Sequence, residues 1–212
     1  MTAATTPPGR FVSFEGVDGA GKTTQLDRLE QSLRGLGVPL VRTREPGGTP
    51  LGELLRAQLL GKDMQPLTET LLMFAARQEH ISAVIRPALQ AGRWILCDRF
   101  TDASYAYQGG GRGLARERLD QLAAWVQEGL EPDLTILVDI DPDEARRRRA
   151  RARAADRFEA QDSAFFDAVR RAYRERMASH PARFLQVDGA QDPAAVAHAV
   201  LERLQPWLAG YR

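Results

Sequence analysis

Two hydrophobic patterns take turns along this chain. Short, nearly unbroken apolar runs stand at Phe11-Val12-Ser13-Phe14, Leu40-Val41, Trp94-Ile95-Leu96-Cys97, Leu134-Thr135-Ile136-Leu137-Val138 and Phe184-Leu185-Gln186-Val187. Runs this short, bounded by glycine, proline or charge, read as buried strands. Between them, apolar residues recur at the spacings that share one face of a helix. The stripes are Leu26, Leu29, Leu33, Leu36; Leu67, Leu71, Phe74, Ile81, Ile85; Leu119, Leu122, Val126, Leu130; Phe165, Val169, Tyr173; and Val196, Val200, Leu204, Leu208. A further helical stretch runs from about Pro50 to Leu60. Gly37 with Pro39 stops the first helix, Pro87 is expected to kink or end the one that opens at Pro66, and Pro181 interrupts the stripe through Tyr173. Strands and helices that alternate in this way predict an α/β domain of three layers, with a mostly parallel five-stranded sheet flanked by helices.

Bulk properties narrow the class. A chain of 212 residues is most simply one domain, spanning 1–212, long enough to bury a full core. The formal charge of +1 gives no global pull toward nucleic acid, membrane or acidic partners. A single cysteine, Cys97, excludes an internal disulfide and suits a reducing compartment. Residues 1–9 read as a frayed tail and not as a signal peptide, no apolar run approaches membrane-spanning length, and the expected compartment is the cytoplasm.

The chemistry begins where the first strand ends. Gly16-Val17-Asp18-Gly19-Ala20-Gly21-Lys22-Thr23 reads G-x-x-x-x-G-K-T, between a strand and an amphipathic stretch, which is the P-loop context. Glycines let successive N–H groups converge on an anion, and the helix that follows adds the partial positive charge of its N-terminus. Lys22 would reach the β- and γ-phosphates of ATP, and the Thr23 hydroxyl would ligate Mg²⁺. Of 29 basic residues only Lys22 and Lys62 are lysines, so Lys22 stands out as kept for a compact point charge.

Further candidates lie at the ends of later strands, where open α/β sheets place ligands. Arg44 is either a ligand-binding arginine or part of a turn with solvated arginines. Asp98 and Arg99 offer a carboxylate for Mg²⁺ or its water shell and a cation for phosphate; a surface ion pair is the alternative. Phe74 and Arg77 both project toward one pocket at the edge of their stripe, although Phe74 taken alone reads first as core. Ser104, Tyr107 and Gln108 are suited to hydrogen-bonding a base or sugar, and Gly109-Gly110-Gly111 suggests a mobile or tightly turning segment. After the helix start Asp141-Pro142-Asp143-Glu144 comes a run of arginines, Arg146 to Arg149, Arg151 and Arg153. Like charges this close repel. A phosphate-clamping lid is favoured over a solvated basic face or an RNA-binding patch, because the chain already has a phosphate site. His80, His180 and His198 show no metal-ligand or triad spacing and read as structural.

Taken in order, the P-loop, Arg44-Glu45-Pro46-Gly47-Gly48, Phe74 with Arg77, Asp98-Arg99-Phe100, Tyr107-Gln108-Gly109-Gly110-Gly111-Arg112-Gly113 and Asp156-Arg157-Phe158-Glu159 resemble the bacterial thymidylate kinases over nearly the whole chain. The resemblance implies Mg²⁺-dependent transfer of the γ-phosphoryl group of ATP to dTMP, giving dTDP, and a homodimer. It also implies that Phe74 stacks on thymine, Arg77 hydrogen-bonds the base, and Arg44 and Arg99 hold the acceptor phosphate. Asp18, Ser104, Tyr107 and Gln108 match positions near the sugar, base or metal. Gly19 stands where some members carry a catalytic arginine, so this chain resembles the subtype whose lid, about residues 147–159, supplies that charge through Arg149, Arg151 or Arg153. The alternatives are another nucleoside or nucleotide kinase on the same scaffold, or a P-loop protein that binds nucleic acid without catalysis.

Overall fold

The computed structural model describes residues 8–150, 158 and 161–211. Most of the expected tail (1–7) and of the expected lid (151–157 and 159) lies outside these residues. Five strands, β1 (Phe11–Glu15), β2 (Leu40–Arg44), β3 (Trp94–Asp98), β4 (Leu134–Asp139) and β5 (Phe184–Asp188), form one sheet in the order β2-β3-β1-β4-β5. Every pairing is parallel. The central strands β1 and β4 are buried along their whole length, as a sheet covered on both faces requires.

The period of two along the strands separates the two covering layers. Val12, Phe14, Trp94 and Leu96 pack with Leu26, Leu29 and Leu33 of α1 (Lys22–Gly35) and with Val196, Val200 and Leu204 of α9 (Pro193–Leu208). Phe11, Ile95 and Cys97 pack instead with Ile81, Ile85, Ala88 and Phe100. Because β1 has β3 on one side and β4 on the other, the chain order reverses beside it, and a crevice opens at its carboxyl end.

Two elements differ from the sequence expectation. Helix α3 (Pro66–His80) does not stop or break at Pro87: it passes through a π-helical stretch, Ile81–Ile85, into α4 (Arg86–Gln90). Pro87 sits in the first turn of α4, and the widened spacing just before it takes up the ring and the missing N–H. The glycine-rich segment, expected to be mobile or to turn tightly, is helical. After the short α5 (Thr101–Ser104), residues Tyr105–Gly111 form a second π-helical stretch packed on α8 (Ser163–Ser179). A Cβ at Gly110 would stand 2.7 Å from the Ala172 Cβ and 2.8 Å from the Ala168 carbonyl oxygen, so glycine is there for close packing. Helices α2 (Pro50–Gly61), α6 (Arg116–Gln127) and α7 (Pro142–Ala150) are the remaining α-helices among the described residues.

Candidate active site

The loop after β1 and the turn after β3 meet at the crevice. Gly16 has φ 131°, and any Cβ there would run into the Val138 carbonyl of β4, so only glycine lets the loop turn this tightly. Lys22 is buried and donates to the carbonyl oxygens of Gly16 and Val17, both at 3.1 Å. Burial first, and then the charge of Arg99, push its pKa below the usual lysine value. Arg99 occupies the left-handed region at φ 71°, a strained conformation for a side-chain-bearing residue. Its guanidinium donates to Asp18 Oδ1 at 2.7 Å, to the Gly16 carbonyl at 2.9 Å, and to the hydroxyls of Tyr107 and Tyr173, both at 3.1 Å. Asp18, Lys22 and Arg99 are thus drawn together. Asp98 Oδ1 is buried with no hydrogen-bond partner among the described residues, and the Thr23 side chain is exposed at the start of α1.

Beneath Arg99 lies a carboxylate that sequence reasoning missed. Glu15 ends β1, accepts from the Phe100 N–H and from the Tyr173 hydroxyl (2.7 Å each), and is fully buried. Burial, reinforced by the nearby Asp102 charge, pushes its pKa up to about 8, against the opposing effect of Arg99. A charged residue closing an otherwise apolar strand was the available signal.

Beside this cluster is an open cavity, lined on its polar side by Asp18, Glu45, Arg56, Arg77, Arg99, Ser104, Tyr107 and Gln108 and on its apolar side by Pro46, Leu60, Met73, Phe100, Ala103 and Phe158. Arg77 is 2 % exposed and fixed from several directions. Its Nε donates to Glu45 Oε2 at 2.8 Å, and its Nη2 to Ser104 Oγ at 2.9 Å and the Phe100 carbonyl at 3.3 Å. Its Nη1 is buried without a partner among the described residues. Burial alone would raise the Glu45 pKa, yet the Arg77 charge and a hydrogen bond from His80 hold it below the ordinary value, so Glu45 stays ionised. Gln108 donates to Glu69 Oε1 at 2.8 Å.

Two expected residues stand elsewhere. Phe74 does not line the cavity: it is 2 % exposed, packed with Tyr105 and Leu119, and lies 4.6 Å under the Arg77 guanidinium. On a helix, residues three and four before Arg77 fall on opposite sides of it. The cavity is on the Met73 side, so Met73 lines it and Phe74 does not. Arg44 is half exposed, bound through Nε and Nη2 to Glu53, and absent from the lining; Arg56, which the sequence did not single out, is there instead.

The arginine run divides. Arg146 pairs with Asp143, Arg147 and Arg148 pair with Glu144, and Arg148 also donates to the Gly189 carbonyl. The acids at the start of α7 therefore relieve the repulsion among these three. The side chains of Arg149, Arg151 and Arg153 lie outside the described residues.

The thymidylate kinase family model matches residues 14–200. Thymidylate kinase of Paraburkholderia xenovorans is 52% identical over 198 residues, spanning 92% of this chain and 96% of the relative. That of Bordetella pertussis is 54% identical over 197 residues, spanning 93% and 94%. Among solved structures, thymidylate kinase from Ehrlichia chaffeensis superposes with a TM-score of 0.77 at 34% identity, covering 94% of this chain and 100% of that one.

Proposed function

This chain belongs to the thymidylate kinase family, and we propose how its residues divide the work of moving the γ-phosphoryl group of ATP to dTMP, giving dTDP. Gly16 to Thr23 hold the donor phosphates. The cavity beside them takes the acceptor nucleotide. The observation that carries this reading is Arg77: a buried guanidinium, held through Nε and Nη2 by three acceptors and with Nη1 unpartnered among the described residues, lines a cavity next to a P-loop. A donor so placed suits a carbonyl on a flat heterocycle, with Met73 and Phe100 as apolar walls and Ser104, Tyr107 and Gln108 as polar edges. Arg56 and Arg99 are assigned to the acceptor phosphate, with Arg44 at the rim.

Phosphoryl transfer asks the protein for alignment and charge more than for covalent chemistry. A phosphate oxygen of dTMP forms its bond to the γ-phosphorus as the bond to the β,γ-bridging oxygen breaks. Lys22 and Arg99 stabilise negative charge on the transferring group, and Arg149 or Arg153 from the lid is assigned the charge that Gly19 does not carry. Mg²⁺ keeps most of its shell for water and phosphate oxygens and takes few protein ligands. The unpartnered Asp98 oxygen and the Thr23 hydroxyl fit that pattern and would hold it. Bound with ATP, Mg²⁺ neutralises charge on the β- and γ-phosphate oxygens. The compartment assigned is the cytoplasm, and no nucleic acid is invoked as a partner; among the described residues no helix is long and apolar enough to cross a membrane.

Comparing turnover of dTMP, dUMP, dCMP, AMP and GMP tests the acceptor. Preference for dTMP is expected, and preference for AMP or GMP overturns the reading. A homodimer is assigned to the face of α2, α3 and α6, where Leu51, Leu54, Leu67, Leu71 and Trp125 are exposed, Trp125 by 80%. Sedimentation should give a dimer for the unaltered chain and a monomer after Leu54→Glu with Trp125→Glu; a dimer that survives both changes lies on another face.

A further inference from the structure

His80 is completely buried at the end of α3, where the helix passes into its π-helical stretch, and both ring nitrogens are engaged. Nδ1 lies 2.9 Å from Glu45 Oε1 and Nε2 2.6 Å from Thr43 Oγ1. An ionised carboxylate only accepts, so Nδ1 carries the hydrogen; in the neutral ring Nε2 then accepts from the Thr43 hydroxyl. Thr43 belongs to β2 and Glu45 to the turn after it, so the imidazole bridges the sheet edge to α3. Gly48, in the same turn, approaches the ring so closely that a Cβ there would stand 2.7 Å from Nε2.

The bridge sets what Arg77 can do. Glu45 has two oxygens: one is held by His80, the other holds Arg77 Nε. With Nε and Nη2 both fixed, the planar guanidinium cannot turn, and the place of the unpartnered Nη1 on this cavity-lining residue is determined. A buried carboxylate bound on one side only could swing between rotamers and take Arg77 with it. Burying a histidine costs free energy unless both its nitrogens are satisfied, and here both partners belong to the segment that carries Glu45.

We propose that His80 is a positioning residue for acceptor recognition: by clamping Glu45 to Thr43 and the strand edge, it aims the free Nη1 of Arg77 at the base. The inference rests on the reading of Arg77 as the base-recognising group. It also assigns a selectivity effect. A rigid, donor-only guanidinium donates to a carbonyl and rejects an amino group, the difference between thymine and cytosine at ring position 4.

The test is steady-state kinetics of the full chain and its His80→Leu, His80→Gln and Thr43→Val variants, with dTMP and dCMP as acceptors. Losing a hydrogen bond to a charged group commonly lowers affinity about tenfold. His80→Leu should therefore raise KM for dTMP about tenfold with KM for ATP little changed, and narrow the preference for dTMP over dCMP. His80→Gln, which keeps a donor and an acceptor, should recover most of the loss. Thr43→Val should shift both readouts the same way but less, and it decides the matter if His80→Leu does not fold. Unchanged KM and selectivity in a folded variant overturn the proposal. So does an equal loss toward both substrates with a lowered melting temperature, which marks a purely structural histidine. If the unaltered chain itself prefers a purine monophosphate, the acceptor assignment fails instead.

Discussion

At the scale of single residues, position on a helix decides between roles that composition leaves open. Phe74 and Met73 are neighbours, and both suit an apolar wall. Only Met73 reaches the cavity, while Phe74 supports Arg77 from beneath. Met73→Ala should weaken dTMP binding about tenfold, the lower end of what an apolar pocket contact contributes, and leave ATP affinity unchanged by calorimetry. Phe74→Ala should instead cost about 3–4 kcal/mol of stability in chemical denaturation, as large-to-small core changes do. Arg99 gathers the P-loop, Asp18 and two tyrosines around one guanidinium. Arg99→Ala should lower kcat on the order of a hundredfold or more, the usual loss for a group that stabilises transition-state charge, with the variant still folded by circular dichroism. An active Arg99→Ala enzyme would remove that role.

At the scale of elements, the two π-helical stretches place the site. One carries the chain past Pro87 directly after His80. The other presents Tyr107 and Gln108 to the cavity while its glycines seat against α8. Gly110→Ala adds a methyl where there is no room, and it should cost about 1–3 kcal/mol in stability. Because α8 also carries Tyr173, bonded to Arg99 and Glu15, the same change should lower kcat; thermal melts and turnover read the two effects separately. The glycines were legible in the sequence, but their purpose was not, since it depends on a helix more than fifty residues later (α8, Ser163–Ser179).

For the molecule as a whole, Glu15 makes stability depend on pH. Its pKa rises from 4.5 to about 8 on folding, so the folded state binds the extra proton. Stability from this group is fully present below pH 4.5 and is lost as pH rises through about 8, by up to a few kcal/mol. Glu15→Gln removes that titration. The melting temperature of Glu15→Gln relative to the unaltered chain should therefore increase steadily from pH 5 to pH 9, and parallel curves would contradict it.

The hydrophobic periods by themselves determined the alternation of strands and helices and the layered α/β domain, because burial on a strand or a helix imposes its own spacing. The P-loop was equally legible, since its tight backbone turn demands glycine at that spacing, and the Asp98–Arg99 pair was visible as charge at the end of an apolar strand. What only the tertiary structure decided was which side chains share a cavity. Whether Met73 or Phe74 lines the cavity, whether Arg44 or Arg56 does, and that His80, Glu45 and Arg77 form one network all depend on the parallel register of β2 with β3 and on the rotation of α3 about its axis. Those are set by packing between segments distant in the chain.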